Sequence, residues 1–479
     1  MVGLTNGQKI IKYILNAQTN ILYKLIQNIF LFKMEPPLNL SDLPPETITE
    51  LLYNIKDLKT LANLCQTDKR IHAICENNMF WKEKYRRYFK HLPSEVNLSW
   101  KEMYKLALLT VPISPISSND NSYAIIDDQS MLYIGGNINS LTAISNTSPF
   151  QQKVRSVSQA STYTGAVTDD GKVHFWGEKL QTIFNDPIVR KPTEFKIPGK
   201  AIKISCGPII GVSSAMFAVI LEDRSVFLRM RYYFIDSGPY SSKGGIFSAK
   251  INITGRDGLK RNIKALDIST NGHALAIVST SGKLYYLGKS LNTNTVPYPD
   301  TRGDVGIIYK DGEIVVNPVH IHLPETIKQV SLDHTHIGVL SFKGTIYLWG
   351  SNQYGQLGQE KKLEMVNIVD KPLKLTLPVP ISFIDCRYFT TSAIDKNGKL
   401  YIWGKHKMST DPSKYTGFDD ILVSSEYYLN SGFNRPIEIG LRHNNTAMKN
   451  IFNYVSIGWT HVVATTNDGY VNVWGSIGY

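Results

Sequence analysis

The histidines hold the spacing in this chain most suited to chemistry. His334 and His336, and separately His320 and His322, stand two residues apart. On an extended strand each pair would put two imidazoles on one face, as two ligands of a metal ion require. Neither pair has a Cys, an Asp or a third His at ligand spacing, and Asp333 falls on the face opposite its neighbour. The four cysteines, Cys65, Cys75, Cys206 and Cys386, are scattered without C-x-x-C spacing. That predicts reduced, buried thiols and a cytoplasmic or nuclear compartment. No G-x-x-x-x-G-K-[ST] phosphate loop and no G-x-S-x-G elbow occurs. The chain is therefore expected not to be an enzyme: no catalytic residue, no cofactor, no metal, and histidines in structural roles.

The elements that would position any site come from a repeat. Four turn pairs lead to an intact tryptophan-glycine: Asp170-Gly171 to Trp176-Gly177, Lys343-Gly344 to Trp349-Gly350, Asn397-Gly398 to Trp403-Gly404, and Asp468-Gly469 to Trp474-Gly475. Three worn copies keep the register: Asp128-Gln129 to Ile134-Gly135, Asp223-Arg224 to Arg229-Met230, and Ser281-Gly282 to Leu287-Gly288. Asn-Gly and Asp-Gly tolerate the positive φ of tight hairpins, and alternating apolar residues such as Val173 and Phe175 mark a strand with one buried face. Upstream runs of small residues, Ala274–Ile277, Ile337–Leu340, Ser392–Ile394 and Val462–Ala464, are expected to be the other arm, placed in the crowded inner part of a ring. Copies recur roughly 40 to 70 residues apart, which suits four-stranded blades with insertions. The fold class expected is a small all-α domain followed by an all-β seven-bladed β-propeller.

The fifth copy, Trp349-Gly350-Ser351-Asn352-Gln353-Tyr354-Gly355-Gln356-Leu357-Gly358, resembles the signature of the regulator of chromosome condensation repeat family. Gly458-Trp459-Thr460-His461, Gly272-His273 and His336 stand where that family often carries a glycine and a histidine. The resemblance covers residues 110 to 479 and implies a propeller. It further implies, for the founding member's activity, chromatin binding and nucleotide release from the small GTPase Ran. In the third repeat both turn glycine and tryptophan are lost. A ring needs its ends joined, and the segment Leu108–Ile116 is expected to supply the missing outer strand of the last blade.

Ahead of the repeats, Leu43-Pro44-Pro45-Glu46 opens a helix in which Ile48, Leu51, Leu52 and Ile55 share one face. Asp57 can cap a second helix bearing Leu58, Leu61 and Leu64, and Ile71, Ile74, Phe80, Trp81 and Tyr85 continue the pattern. About 45 residues bury little surface alone, so part of this apolar face is expected to meet a partner. Leu43, Pro44, Glu46, Leu58, Leu61, Leu64, Cys65 and Phe80-Trp81 resemble an F-box. That resemblance implies a Skp-type linker and a cullin scaffold as partners, docked on Leu43, Pro44, Ile48, Leu51, Leu52, Leu58, Leu61 and Leu64. The expected organisation is an accessory helix or extension over 1–33, an F-box-like domain over 34–92, a linker helix over 93–107 and the propeller over 108–479.

Net charge is +12, which permits a nucleic-acid partner without indicating one. No run reaches the roughly 18 apolar residues of a membrane span. With Tyr479 four residues past Gly475, the ubiquitin-transferring domain sometimes fused to such propellers, and its activity, are not expected. Recognition is expected on long insertions: residues 229–261, with Tyr232, Tyr233 and Phe234, and residues 405–449, with Tyr427 and Tyr428. The main functional expectation is a substrate-recruiting adaptor of a Skp-cullin-F-box ubiquitin ligase, its propeller holding an unknown target protein. The alternative is an exchange factor or chromatin-binding propeller acting on a Ran-like small GTPase.

Overall fold

The computed structural model describes residues 43–475 apart from 56–57, 90–98, 102–103, 105–113, 121, 137–151, 179, 181–187, 208–215, 236–241, 255–259, 290–303, 311–312, 360–367, 406–420, 423–432, 444–445, 449–450 and 460. The chain divides into two compact units, Met1–Leu108 and Leu109–Tyr479. The accessory helix expected over 1–33 lies outside the described residues, as do Asp57, Tyr427 and Tyr428.

Among the described residues of the first unit, short helices follow one another: α1 (Pro45–Asn54), α2 (Leu58–Leu64), α3 (Lys69–Glu76) and α4 (Asn78–Phe89). Proline opens α1, where no intrahelical donor is lost. Asp68 caps α3, its carboxylate accepting from the Arg70 and Ile71 amides at 2.7 and 3.3 Å. The faces converge on one core of Ile48, Leu51, Leu52, Leu61, Leu64, Ile71, Cys75, Phe80, Trp81, Tyr85 and Tyr104. Lys84 is wholly buried in the same unit, its ammonium donating to the carbonyls of Leu52, Tyr53 and Ile55, at the C-terminal end of α1, at 2.6–2.9 Å. These carbonyls lack intrahelical donors, so the lysine works as a cap while burial and the Arg87 charge pull its pKa down to about 7. The expectation of four reduced thiols is corrected here: Cys65 and Cys75 form a disulfide, and only Cys206 and Cys386 are free thiols. The helical hairpin brings together two cysteines whose separation in sequence matches no motif.

The second unit is a seven-bladed β-propeller. Its antiparallel sheets are built from residues 116–136, 154–195, 201–250, 265–321, 327–375, 381–443 and 452–475, taken below as blades one to seven. In each, the first three strands pair in chain order, and every turn pair of the repeat connects the second strand to the third. The worn third repeat makes a full four-stranded blade. The small-residue runs are second strands, and Ala274–Ser279, His336–Ser341, Thr390–Asp395 and His461–Thr466 are buried at every position. They are not the innermost strands, as expected from their size. That place belongs to the strand before each, which lines the central channel.

First strands face the next blade with one edge that no strand covers, so their amides need other acceptors. Side chains supply them in a continuous ring. The hydroxyls of Ser117, Ser158, Ser205, Ser269 and Ser331 accept from the amides of Gln159, Cys206, Thr270, Leu332 and Cys386 at 2.8–3.1 Å. The Asp385 carboxylate accepts from Ile457, and Ser456 accepts from Ser118 at 2.9 Å, which joins blade seven to blade one. Each acceptor sits one residue before the donor position of its own strand, so every blade both takes and gives, and Ser156, Asp267 and Gln329 add a second acceptor for Ile204, Val330 and Ile384. Residues 108–113 of the segment expected to close blade seven lie outside the described residues. Ile116–Ser118 pairs with Ser122–Ile126 as the first strand of blade one, and among the described residues it adds no strand to blade seven.

Candidate functional site at the channel mouth

First strands lead into connections at one end of the channel, and four of these carry the side chains that set its mouth. Blade six supplies Arg387 and Tyr388, blade five Asp333, His334 and Thr335, blade one Asp120, and blade seven Trp459. Arg387 reaches over the channel and donates to the carbonyl of Ser118 and, at 2.6 Å, to that of Gln159. Tyr388 donates its hydroxyl to the Asp120 carboxylate, and its ring stands edge-on to Trp459 with centroids 4.9 Å apart. The Thr335 hydroxyl donates to the Tyr388 carbonyl at 3.1 Å. Below them a cavity of about 140 Å³ is lined mainly by hydroxyl and apolar side chains of the first strands, with Lys203, Asp333 and Asp385.

Burial sets the charge states here. It raises the pKa of Asp385, opposed by the Arg387 cation, and raises that of Tyr388 well above the ordinary phenol range, so the hydroxyl stays a donor. It lowers His334 and brings His336 down to about 4, leaving both imidazoles neutral at pH 7. The free thiols are raised likewise, Cys206 to about 12, so neither is an activated nucleophile. What the mouth can do chemically is bind, through aromatic edges, a guanidinium and fixed hydrogen-bonding groups.

The residues singled out from sequence fall elsewhere. Ile48, Leu51, Leu52, Leu61 and Leu64 are 1–5% exposed in the core of their own unit, so a partner cannot touch them while the helices stay packed. Leu43 is half-buried against that core and Pro44 is exposed; α2 carries Leu58. Tyr232, Tyr233 and Phe234 lie in a strand, not a loop: Val226–Ile235 pairs with Ser242–Lys250, and among the described residues 231–235 pair with 242–246 alone. The His334–His336 pair separates as well. His336 begins a strand, its ring between the hydroxyls of Thr335 and Thr391, whereas His334 sits in the preceding turn. The His320 and His322 rings meet at 4.2 Å, and among the described residues no group of three metal-ligating side chains occurs. Sequence reasoning missed Asp120, Arg387 and Tyr388, which carry no motif.

A ring of seven antiparallel blades, four of whose third strands carry tryptophan-glycine, defines a β-propeller. Residues 343–393, from the turn of blade five to the second strand of blade six, match the model of the Regulator of chromosome condensation (RCC1) repeat. The chain is 24% identical to the Ultraviolet-B receptor UVR8 of Arabidopsis thaliana over 206 residues, 43% of this chain and 39% of that protein. It is 21% identical to the Regulator of chromosome condensation of Mus musculus over 283 residues, 56% of this chain and 63% of that protein. The matches thus span under two thirds of these relatives. Among solved structures, human WBSCR16 superposes with a TM-score of 0.51 at 16% identity, covering 74% of this chain and 87% of that one. Yeast RCC1 (Prp20), bound to Kap60, gives 0.51 at 16% identity, covering 80% and 83%. No helix among the described residues is long and apolar enough to cross a membrane.

Proposed function

We propose that the propeller is a protein-recognition ring that engages a Ran-like small GTPase through the channel mouth and acts on its bound nucleotide, in the nucleus or cytoplasm. The observation that carries this is the junction of Arg387, Tyr388 and Trp459 at the centre of one face of an RCC1-type ring. Arginine, tyrosine and tryptophan are the side chains that dominate protein interfaces, and here neighbours hold them in place before a partner arrives. The chain supplies no catalytic group in this scheme. A GTPase bound more tightly in its nucleotide-free form loses nucleotide faster, by differential affinity alone. The test is release of labelled guanine nucleotide from Ran by the full chain. Acceleration that Trp459→Ala diminishes supports the proposal, and a release rate indifferent to the chain sinks it.

A second reading, the ubiquitin-ligase adaptor, is favoured by the order of the four helices that follow Leu43-Pro44. In it the helical unit docks a Skp-type linker on a cullin scaffold while the ring holds a target, acting by proximity. The contact would run through Pro44 and half-buried Leu43, because the remaining apolar face is interior. Copurification of a Skp-type subunit with the full chain, lost on Pro44→Asp, is the expected result under this reading.

A further inference from the structure

Blade six departs from the other blades at three nearly consecutive residues. Where the ring of side-chain acceptors uses serine, it carries Asp385, whose carboxylate also accepts from the Ser331 hydroxyl at 3.1 Å. Two residues on, Arg387 places a cation next to that half-buried acid and sends its guanidinium across the channel. Tyr388 then takes φ +58, a left-handed conformation that a bulky residue adopts only under constraint. Arg387 and Thr390 are paired on either side of it, so Tyr388-Phe389 is a two-residue hairpin with tyrosine where glycine is the usual choice.

The constraint is visible. Through Arg387 the turn grips backbone of blades one and two, through the Tyr388 hydroxyl Asp120 of blade one, through its carbonyl Thr335 of blade five, and through its ring Trp459 of blade seven. Two adjacent residues thus tie their own blade to four others, including both blades that meet where the chain ends join. We propose that the Asp385–Tyr388 turn is a strained clasp that locks the ring shut across its channel, and that releasing it opens the seam between blades seven and one while the rest of the ring stays folded. The clasp rests on the ring alone and stands whether or not a GTPase is the partner. Fork geometry explains the choice of arginine, since only a guanidinium reaches two carbonyls at once in fixed directions. Strain explains why the seam can open: the backbone relaxes as soon as its ties are cut.

Hydrogen exchange on the full chain decides it. Tyr388→Phe removes one oxygen and its bond to a carboxylate, and Arg387→Lys replaces the fork by a point charge. Each is expected to speed exchange roughly tenfold or more in peptides covering 116–126 and 452–466, the loss of a hydrogen bond to a charged group being of that size. Peptides covering 201–206 and 265–279 should keep their protection. Unchanged exchange at the seam in both variants, or a uniform rise in all seven blades, overturns the clasp. Should Arg387→Lys not yield folded protein, Tyr388→Phe decides by itself.

Discussion

Blade three and blade five have the same architecture and almost opposite sequences. Blade five keeps turn glycine, tryptophan and tryptophan's following glycine; blade three has Arg224, Arg229 and Met230 at those places. In blade five Trp349 pairs with Ile337 and is 6% exposed. In blade three Arg229 pairs with Phe217, lays its guanidinium 5.0 Å over the Phe195 ring and donates to the Ser248 hydroxyl at 3.3 Å. Met230 fills the glycine's place and is 3% exposed. Each blade still hands a serine, Ser205 or Ser331, to its neighbour. The blade therefore survives loss of its signature because the residues that close it onto the next blade are different residues from those that make it recognisable.

If blade five depends on its glycine and blade three does not, Gly350→Ala should be the most damaging change of the set. The new Cβ would stand 2.4 Å from the Thr335 carbonyl oxygen and 2.8 Å from the His336 Cα, on a backbone at φ +110. A cost of about 4 kcal/mol follows, read as lost protection in blade-five peptides; Met230→Ala in blade three should leave the backbone unstrained. Acid provides the next contrast. His336 is buried neutral with a pKa near 4, below the 6.5 of an exposed histidine, so between those values the unfolded chain binds more protons than the folded one. Stability contributed by the neutral ring is complete above pH 6.5 and is lost as pH falls towards 4, by up to about 3 kcal/mol. Blade three has Met216 at that position, so exchange measured at pH 6.5 and at pH 4 should show blade five loosening first.

Five of the seven turn registers were legible because turn chemistry is local, Gly171, Gly282, Gly344, Gly398 and Gly469 taking the positive φ that glycine tolerates best, while the other two followed from the constant spacing. The latches were legible in principle and overlooked. Ile116-Ser117, Val157-Ser158, Ile204-Ser205, Ile268-Ser269, Val330-Ser331, Ile384-Asp385 and Val455-Ser456 repeat a β-branched residue followed by a short acceptor once per blade. A pattern of two residues has no meaning until the ring shows that the acceptor faces another blade's amide. The helical period found Ile48, Leu51, Leu52, Leu61 and Leu64 correctly as one apolar set, yet a period cannot distinguish a face turned to a partner from one turned inward. Tyr232, Tyr233 and Phe234 read as a loop because they fall in the long insertion over 229–261, whereas their strand is fixed by pairing with 243–245. Arg387 and Tyr388 had no signal at all, their role being set by groups more than 200 residues away in blades one and two.

Equal dependence on the latches is the next point at which the two blades can be made to agree or differ. Ser205→Ala leaves the Thr270 amide without its acceptor, and Ser331→Ala does the same to the Cys386 amide. Each should cost about 2 kcal/mol, the penalty of stranding a buried donor. Ser331 should lose slightly more, because its hydroxyl also donates to Asp385. Denaturant midpoints of the full chain measure both. A loss at Ser331 with none at Ser205 would mean that the worn blade is held by other means.

The smallest effect has the opposite sign. Arg224 occupies the turn place of the lost glycine and keeps the backbone that glycine would have, with φ +67, as Gly344 does with φ +88 in blade five. Its amide donates to the Leu221 carbonyl at 2.8 Å, the same turn bond that Gly344 makes to Ser341 at 3.0 Å. The turn is therefore dictated by the pairing of the strands on either side, and arginine is carried into a left-handed conformation that disfavours its Cβ. Restoring glycine by Arg224→Gly removes that conflict without touching the strand register. Stability should rise by about 1 kcal/mol, visible as a higher denaturant midpoint and slower exchange in peptides spanning 216–235. A fall instead would show that the arginine side chain holds the turn more strongly than its backbone resists it, and that the third repeat lost its glycine for a contact rather than by drift.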